Sequence, residues 1–497
     1  MENDSYTPYM RTQMPTSLLD AMTSGDTRTL NDCVTHSTSS SPLVDLFFTI
    51  NTFRHKEEDE IQSAFYRAYN HSPVDALRIL FYSRDIRGGQ GERRTFRLCL
   101  KSLAQSGQKL QGLLQYIPYF GRWDDVLVFL GTPLENEALA LIKQGLDAED
   151  GLCAKWMPRE KSSKSAQATT IRRFLGLTPK QYRKKLSQLT NVVETQMCSK
   201  NWDAIQYGHV PSRATLLYRN AFEKHSPKRW HDFLTSVVEG EDKVNAGTLY
   251  PHDVVKPIWD TMGDTWGGST RKPTVDELTL LDEQWKALPN YMESNSERVL
   301  PVVDTSGSMY SGGNPEPILV SVSLGLYIAE RNEGPFKDHF VTFSDTPSLQ
   351  KVEGNSVMNR LASLKGCDWG YNTNIERVFK LVLDSAVKSN VSESEMPSVI
   401  LILSDMEFDS SSNCDVTAFE QAKQLYAAAG YELPKIVFWN LDAKTSNFPV
   451  KFHETGTAMV SGFSPTILKQ ILAGGDMSPE KIMFDVINSE RYSCITL

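Results

Sequence analysis

"RVLPVVDTSGSM", Arg298–Met309, decides how the second half of the chain is read. A short apolar run from Val299 to Val303 stops at a carboxylate, Asp304. Thr305, Ser306, Gly307 and Ser308 follow at once. An apolar run of this length bounded by small polar residues has the pattern of a fully buried strand. Beyond it, similar runs such as "DHFVTFSD", "SVILILSD" and "KIVFWNL" alternate with helical stretches such as "NIERVFKLVLDSAVK" and "AFEQAKQLYAAAG". Continuous apolar strands between helices predict a parallel sheet covered on both faces, a doubly wound, Rossmann-like α/β domain.

Ligands of such sheets sit beyond the carboxyl ends of the strands. Asp304 ends the first strand, Asp405 ends "VILILS", and Thr373 lies in the polar loop "GYNTN" just before a helix. Three loops are therefore expected to bring Asp304, Ser306, Ser308, Thr373 and Asp405 together. All five are hard oxygen ligands, and none is His or Cys, which argues against zinc. Mg²⁺ suits a few hydroxyls and carboxylates because it keeps part of its water shell; Mn²⁺ or Ca²⁺ would fit the same donors. The bland alternative is a capped strand-to-helix turn with no metal.

"DTSGSM" resembles the D-x-S-x-S element of the metal-ion-dependent adhesion site (MIDAS) in von Willebrand factor A domains. Thr373 and Asp405 match its other two elements in order and rough spacing. The resemblance covers about residues 298–497. It implies a non-catalytic, magnesium-dependent site that docks an acidic protein partner through the partner's carboxylate. One departure stands out: many family members carry Gly after the last Asp, where this chain has Met406, with Glu407 and Asp409 close behind.

The first half has a different grammar. In "EDEIQSAFYRAYNH" Ile61, Phe65, Ala68 and Tyr69 share one helical face, and "SPVDALRILFYSRDIR" opens with Ser72 and Pro73 as a helix start. Further amphipathic segments follow, separated by short turns, and strand-like alternation is scarce. Stacked helical pairs, HEAT-like repeats, are expected. The resulting division is a flexible N-terminal arm over residues 1–41, a helical-repeat module over 42–247, a connector over 248–295 and the α/β domain over 296–497. The fold class is thus α + α/β, and Gly267 and Gly268 in the connector suggest two separately folded units.

The formal net charge is −9, which argues against general adhesion to nucleic acid or anionic membrane. Residues 151–230 nevertheless contain 16 Lys and Arg against 4 Asp and Glu. Trp156, Phe174, Tyr182, Trp202 and Tyr207 are interleaved with these cations. Cations beside stacking faces suit single-stranded RNA; the competing reading is a solvated helix face with its aromatics in the core. Lys155, Arg159, Arg172, Arg173, Arg183, Lys184 and Lys185 are the candidate RNA contacts. Arg84, Arg87, Arg93 and Arg94 join them from "RDIRGGQGERR". That stretch lacks the GK[ST] ending of a P-loop and is better read as a helix–helix turn. In "GRWDD", Trp123 should be buried and Asp124 or Asp125 should cap the next helix.

A helical-repeat module followed by an A-type domain resembles the TROVE-module RNA-binding proteins of the Ro group, in which a ring of helical repeats holds single-stranded RNA. More closely, "LFYSRDIRGGQGERRTFR", "IPYFGRWDDVL", "AKWMPRE" and "YGHVPSRA" resemble a family of plants, fungi and large viruses or phages that combines the same two parts. That resemblance spans about residues 42–480.

The seven cysteines form no C-x-x-C pair, which points to a reducing compartment. No signal peptide or membrane span is evident. Cytoplasmic residence is expected, in a host cell or a virion if the protein is viral. No G-x-S-x-G elbow, P-loop or H-E-x-x-H motif occurs, and His209, His225 and His252 are isolated. A non-catalytic RNA-binding protein with a Mg²⁺-dependent docking domain is the leading expectation. The alternatives are an interaction adaptor, for instance for an AAA+ ATPase, and a structural component of a viral particle.

Overall fold

A computed structural model of the chain describes residues 26–262, 272–293, 295–310, 315–343, 346–364, 373–409, 416–445 and 447–497. Residues 1–25 of the expected arm lie outside the described residues, as do Gly267, Gly268, Cys367 and Cys414. The arm's described part is not loose. β1 (Asp26–Arg28) and β2 (Val34–His36) pair antiparallel, and His36 exchanges two 3.0 Å backbone hydrogen bonds with Phe448.

The helical half opens with α1 (Pro42–Thr49), α2 (Glu58–His71), α3 (Pro73–Arg84) and α4 (Arg94–Gln105). The face expected for α2, Ile61, Phe65, Ala68 and Tyr69, is the buried one. Next come α5 (Glu135–Asp147), α6 (Ser165–Phe174), α7 (Pro179–Leu189), α8 (Ser212–His225) and α9 (Pro227–Val238). Local chemistry sets the break between α6 and α7. Gly176 takes a left-handed φ of +65° after α6. Thr178 then caps α7 by accepting from the Gln181 N–H, with Pro179 in the first turn.

The described part of the expected connector holds two helices, α10 (Pro251–Trp259) and α11 (Val275–Lys286). The sheet half contains α12 (Pro317–Arg331), α13 (Ile375–Ser389), α14 (Ala418–Ala429) and α15 (Pro479–Ile487). Its strands are β3 (Val299–Asp304), β4 (His339–Phe343), β5 (Leu349–Lys351), β6 (Val399–Ser404), β7 (Lys435–Asn440) and β8 (Thr457–Ser461). They form one six-stranded sheet in the order β5-β4-β3-β6-β7-β8. All pairings are parallel except the β4–β5 edge. β3 and β6 are buried at every residue, as a sheet covered on both faces requires. α12 lies close on β3: a Cβ at Gly325 would stand 2.4 Å from Val303 Cγ2. The architecture is therefore α + α/β.

The two halves share one hydrophobic core, so the chain does not divide into two separately packed units. α10 packs on α12 and α1 packs on β8. Arg491, near the C-terminus, pairs with the fully buried Asp85 after α3, Nη2 to Oδ1 at 2.7 Å, and the Tyr492 hydroxyl donates to Asp85 Oδ2 at 2.9 Å. A second, smaller aromatic core holds Tyr207, Phe222, Trp230 and Phe233.

Candidate functional site

The sheet order reverses at β3, with β4 on one side and β6 on the other. A crevice therefore opens at the carboxyl ends of β3 and β6, where Asp304 and Asp405 stand. Asp304 is fully buried. Its Oδ1 accepts from the Ser306 N–H at 2.9 Å, and its Oδ2 accepts from the Ser404 hydroxyl at 2.5 Å. The Ser306 and Ser308 hydroxyls lie 3.0 Å apart. The Thr373 hydroxyl donates to the Glu407 carbonyl at 3.0 Å. Thr305, the remaining hydroxyl of the opening stretch, bonds the Phe343 carbonyl instead, at 3.3 Å.

The electrostatics of this crevice are unfavourable as they stand. Burial, then the nearby Asp405 charge, pushes the Asp304 carboxyl up. Burial also raises Asp405, against the Ser308 hydroxyl and the Glu407 N–H. Asp405 Oδ2 is buried and has no hydrogen-bond partner among the described residues. A buried, partnerless carboxylate oxygen is costly. Two adjacent buried carboxylates flanked by serine hydroxyls fit a hard divalent cation, which would supply the missing partner. No group of three or more His, Cys, Asp or Glu that could hold a metal occurs among the described residues; the donor set here rests on two carboxylates and three hydroxyls.

The carboxylates that follow Asp405 point to other tasks. Glu407 is buried and accepts from the Leu30 N–H at 2.9 Å and the Thr445 hydroxyl at 2.6 Å. Asp409 Oδ2 accepts from the Thr373 N–H at 2.7 Å. The turn between β1 and β2 thus sits on the loop after β6. The Thr29 hydroxyl donates to the Phe408 carbonyl at 2.6 Å, and the Asn31 amide donates to the Glu407 carbonyl at 2.8 Å.

The eleven arginines and lysines singled out in the sequence do not form one surface. Lys155 pairs with Glu194, Arg172 with Glu160 and Lys185 with Asp147. Arg159 is half-buried, and its Nη2 lies 3.5 Å from the Thr190 hydroxyl. Arg173, Arg183 and Lys184 are exposed on α6 and α7. Of the interleaved aromatics, Tyr182 and Tyr207 are core residues, Trp202 stacks on His225, and Trp156 lies under the Arg122 guanidinium at 3.7 Å. Phe174 alone among them is exposed, at 42%.

Arg84, Arg93 and Arg94 line a cavity of about 560 Å³. Its other three arginines, Arg54, Arg122 and Arg213, were not among the residues singled out as RNA contacts. Arg87 stands apart on the surface, donating to the Tyr119 carbonyl at 3.3 Å. "GGQG" is a turn between α3 and α4 that also ties the halves together: Gln90 Oε1 accepts from the Ser464 N–H at 2.9 Å. Trp123, expected to be buried, is half-buried and donates to Asp150 at 3.0 Å. Asp125 does cap the turn after Arg122, accepting its N–H at 2.9 Å.

No helix among the described residues is long and apolar enough to cross a membrane. A solved structure of the Deinococcus radiodurans Ro (RSR) protein aligns with 91% of this chain and all of that chain, at 12% identity and a TM-score of 0.47. An uncharacterized protein of Acanthamoeba polyphaga mimivirus is 28% identical over 510 aligned positions, covering 91% of this chain and 85% of its own length. Two family profiles of domains of unknown function divide the chain near the expected junction: DUF2828 matches residues 29–107 and 138–297, and DUF7788 matches residues 298–493.

Proposed function

We propose that this protein is a non-catalytic binder of single-stranded RNA. The observation that carries the reading is the exposed cationic pair α6–α7. Lys161, Lys164, Arg173, Lys180, Arg183 and Lys184 are exposed on this pair and its approach and make no ion pair among the described residues, and the exposed Phe174 ring stands among them in sequence. Cations without carboxylate partners beside a stacking face suit a phosphate backbone with splayed bases. Binding should weaken steeply with salt, because each phosphate neutralised releases counterions. Reversing Arg173, Arg183 and Lys184 to Glu should weaken binding of a short single-stranded RNA at least tenfold in a still-folded protein. Equal affinity in wild type and variant would remove this surface from the account.

A divalent cation, Mg²⁺ or with the same donors Mn²⁺ or Ca²⁺, is proposed at the ends of β3 and β6, held by Asp304, Ser306, Ser308, Thr373 and Asp405 as in the A-domain adhesion sites the sequence resembles. The orphaned Asp405 Oδ2 supports this reading. A bound ion with an open position would accept the carboxylate of an acidic protein partner. The β1–β2 turn, seated on the adjacent loop, would form part of that partner's contact.

A further inference from the structure

The arginine-lined cavity belongs neither to the proposed metal site nor to α6–α7. Six arginines line it, with one carboxylate, Glu92. That carboxylate is already committed: Arg54 Nε lies 3.2 Å from it, and it accepts from the Arg94 N–H at 2.8 Å. Carboxylates behind the wall satisfy only some of the guanidiniums. Asp125 takes Arg84 at 2.7 Å and Arg97 at 2.6 Å. Asp124 takes Arg122 at 2.8 Å, and Asp253 takes Arg213 at 2.7 Å. Arg94 turns one nitrogen to the Phe53 and Lys56 carbonyls. Arg93 has no ion pair among the described residues. Burial, then the neighbouring Arg122 and Arg97 charges, lowers its pKa.

Two further features point to a ligand. His252 lines the same cavity and is 5% exposed, yet its Nδ1 has no hydrogen-bond partner among the described residues. Gly91 keeps the space open: it has a φ of +67°, and a Cβ there would stand 2.5 Å from the Tyr250 hydroxyl oxygen. The wall is completed from the sheet half by Pro315 and by Phe463, whose ring lies 3.7 Å under the Arg54 guanidinium. The volume falls within the range of small-molecule sites.

We infer that this cavity, at the seam between the helical and sheet halves, binds a phosphoryl group, either of a free mononucleotide or of the terminal phosphate of an RNA. Convergent planar guanidiniums match phosphate oxygens in pairs, and the spare positive charge matches a dianion. The site is distinct from α6–α7, so it stands or falls separately from the RNA reading.

Calorimetric titration of the full chain at one fixed low salt concentration tests it, with four probes: inorganic phosphate, AMP, and one short RNA carrying either a 5′-phosphate or a 5′-hydroxyl. Binding of phosphate or AMP identifies a small-ligand site. A preference of at least tenfold for the 5′-phosphorylated RNA identifies an RNA-end site. In either case Arg93→Gln should weaken binding at least tenfold with an unchanged melting temperature, since Arg93 holds no structural ion pair. Arg93→Gln combined with Arg213→Gln should abolish it. No binding of phosphate or AMP together with equal affinity for the two RNAs would overturn the inference, as would wild-type affinity in the double variant. Phosphate binding without any RNA binding would leave this site standing and remove the RNA reading.

Discussion

Met406 occupies the position after Asp405 where the A-domain pattern usually has glycine. Its φ is +66°, in the left-handed region that favours glycine, and its side chain is fully buried. The left-handed turn costs a strain of about 1 kcal/mol, which the buried side chain offsets. Met406→Gly would relieve that strain but lose a buried side chain typically worth about 2–5 kcal/mol. A net destabilisation of roughly 2 kcal/mol in urea unfolding is expected. At Asp304, substitution by Ala should abolish the rise in melting temperature produced by Mg²⁺. In wild type that rise corresponds to about 2.7 kcal/mol at a hundredfold excess over Kd. An equal rise in the variant would remove the metal from these residues. His252 supplies a pH dependence. Burial, aided by Arg54 and Arg213 against Asp253, lowers its pKa to about 4. A histidine held neutral in the fold contributes stability that is present above its unfolded value of about 6.5 and is lost progressively as pH falls from there through about 4. Between pH 7 and pH 5 wild type should lose about 2 kcal/mol from this group. His252→Gln should flatten that limb of the stability curve.

At the scale of elements, buried strands and amphipathic helices were legible because their signals are local. "VILILS" became a strand buried at every residue, and the α2 face followed its spacing. Asp304 and Asp405 meet because β3 and β6 are neighbours; the sequence pointed to converging loops but not to that strand order. Three features were not legible. The Ser- and Thr-rich N-terminal stretch carries no apolar period, yet β2 and the turn before it are held by partners more than 370 residues away, Phe448 and Phe408. Interleaved aromatics read alike whether stacked on a ligand or packed in a core, and Tyr182 and Tyr207 proved to be core. Arg54, Arg122 and Arg213 come together only through the tertiary fold.

The whole molecule behaves as one packed body. Arg491 and Tyr492 close on Asp85, and both halves contribute to one core. Their unfolding is therefore expected to be a single calorimetric transition, and Mg²⁺ should shift all of it. Two transitions, with only one responding to Mg²⁺, would mean separately folded units. Arg94 donates to the Lys56 carbonyl, Lys56 to the Lys444 carbonyl, and Lys444 to the Ser308 carbonyl beside the proposed metal. These bonds join the wall of the arginine cavity to the loop after β3. RNA binding through α6 and α7 can be located on the chain directly. Its most direct test is ultraviolet crosslinking of a short single-stranded RNA to the full chain, with the crosslinked peptides mapped by mass spectrometry. Crosslinks are expected within residues 161–185, Phe174 foremost, and should disappear at high salt. RNA adducts found only elsewhere on the chain, or none at low salt, would contradict it.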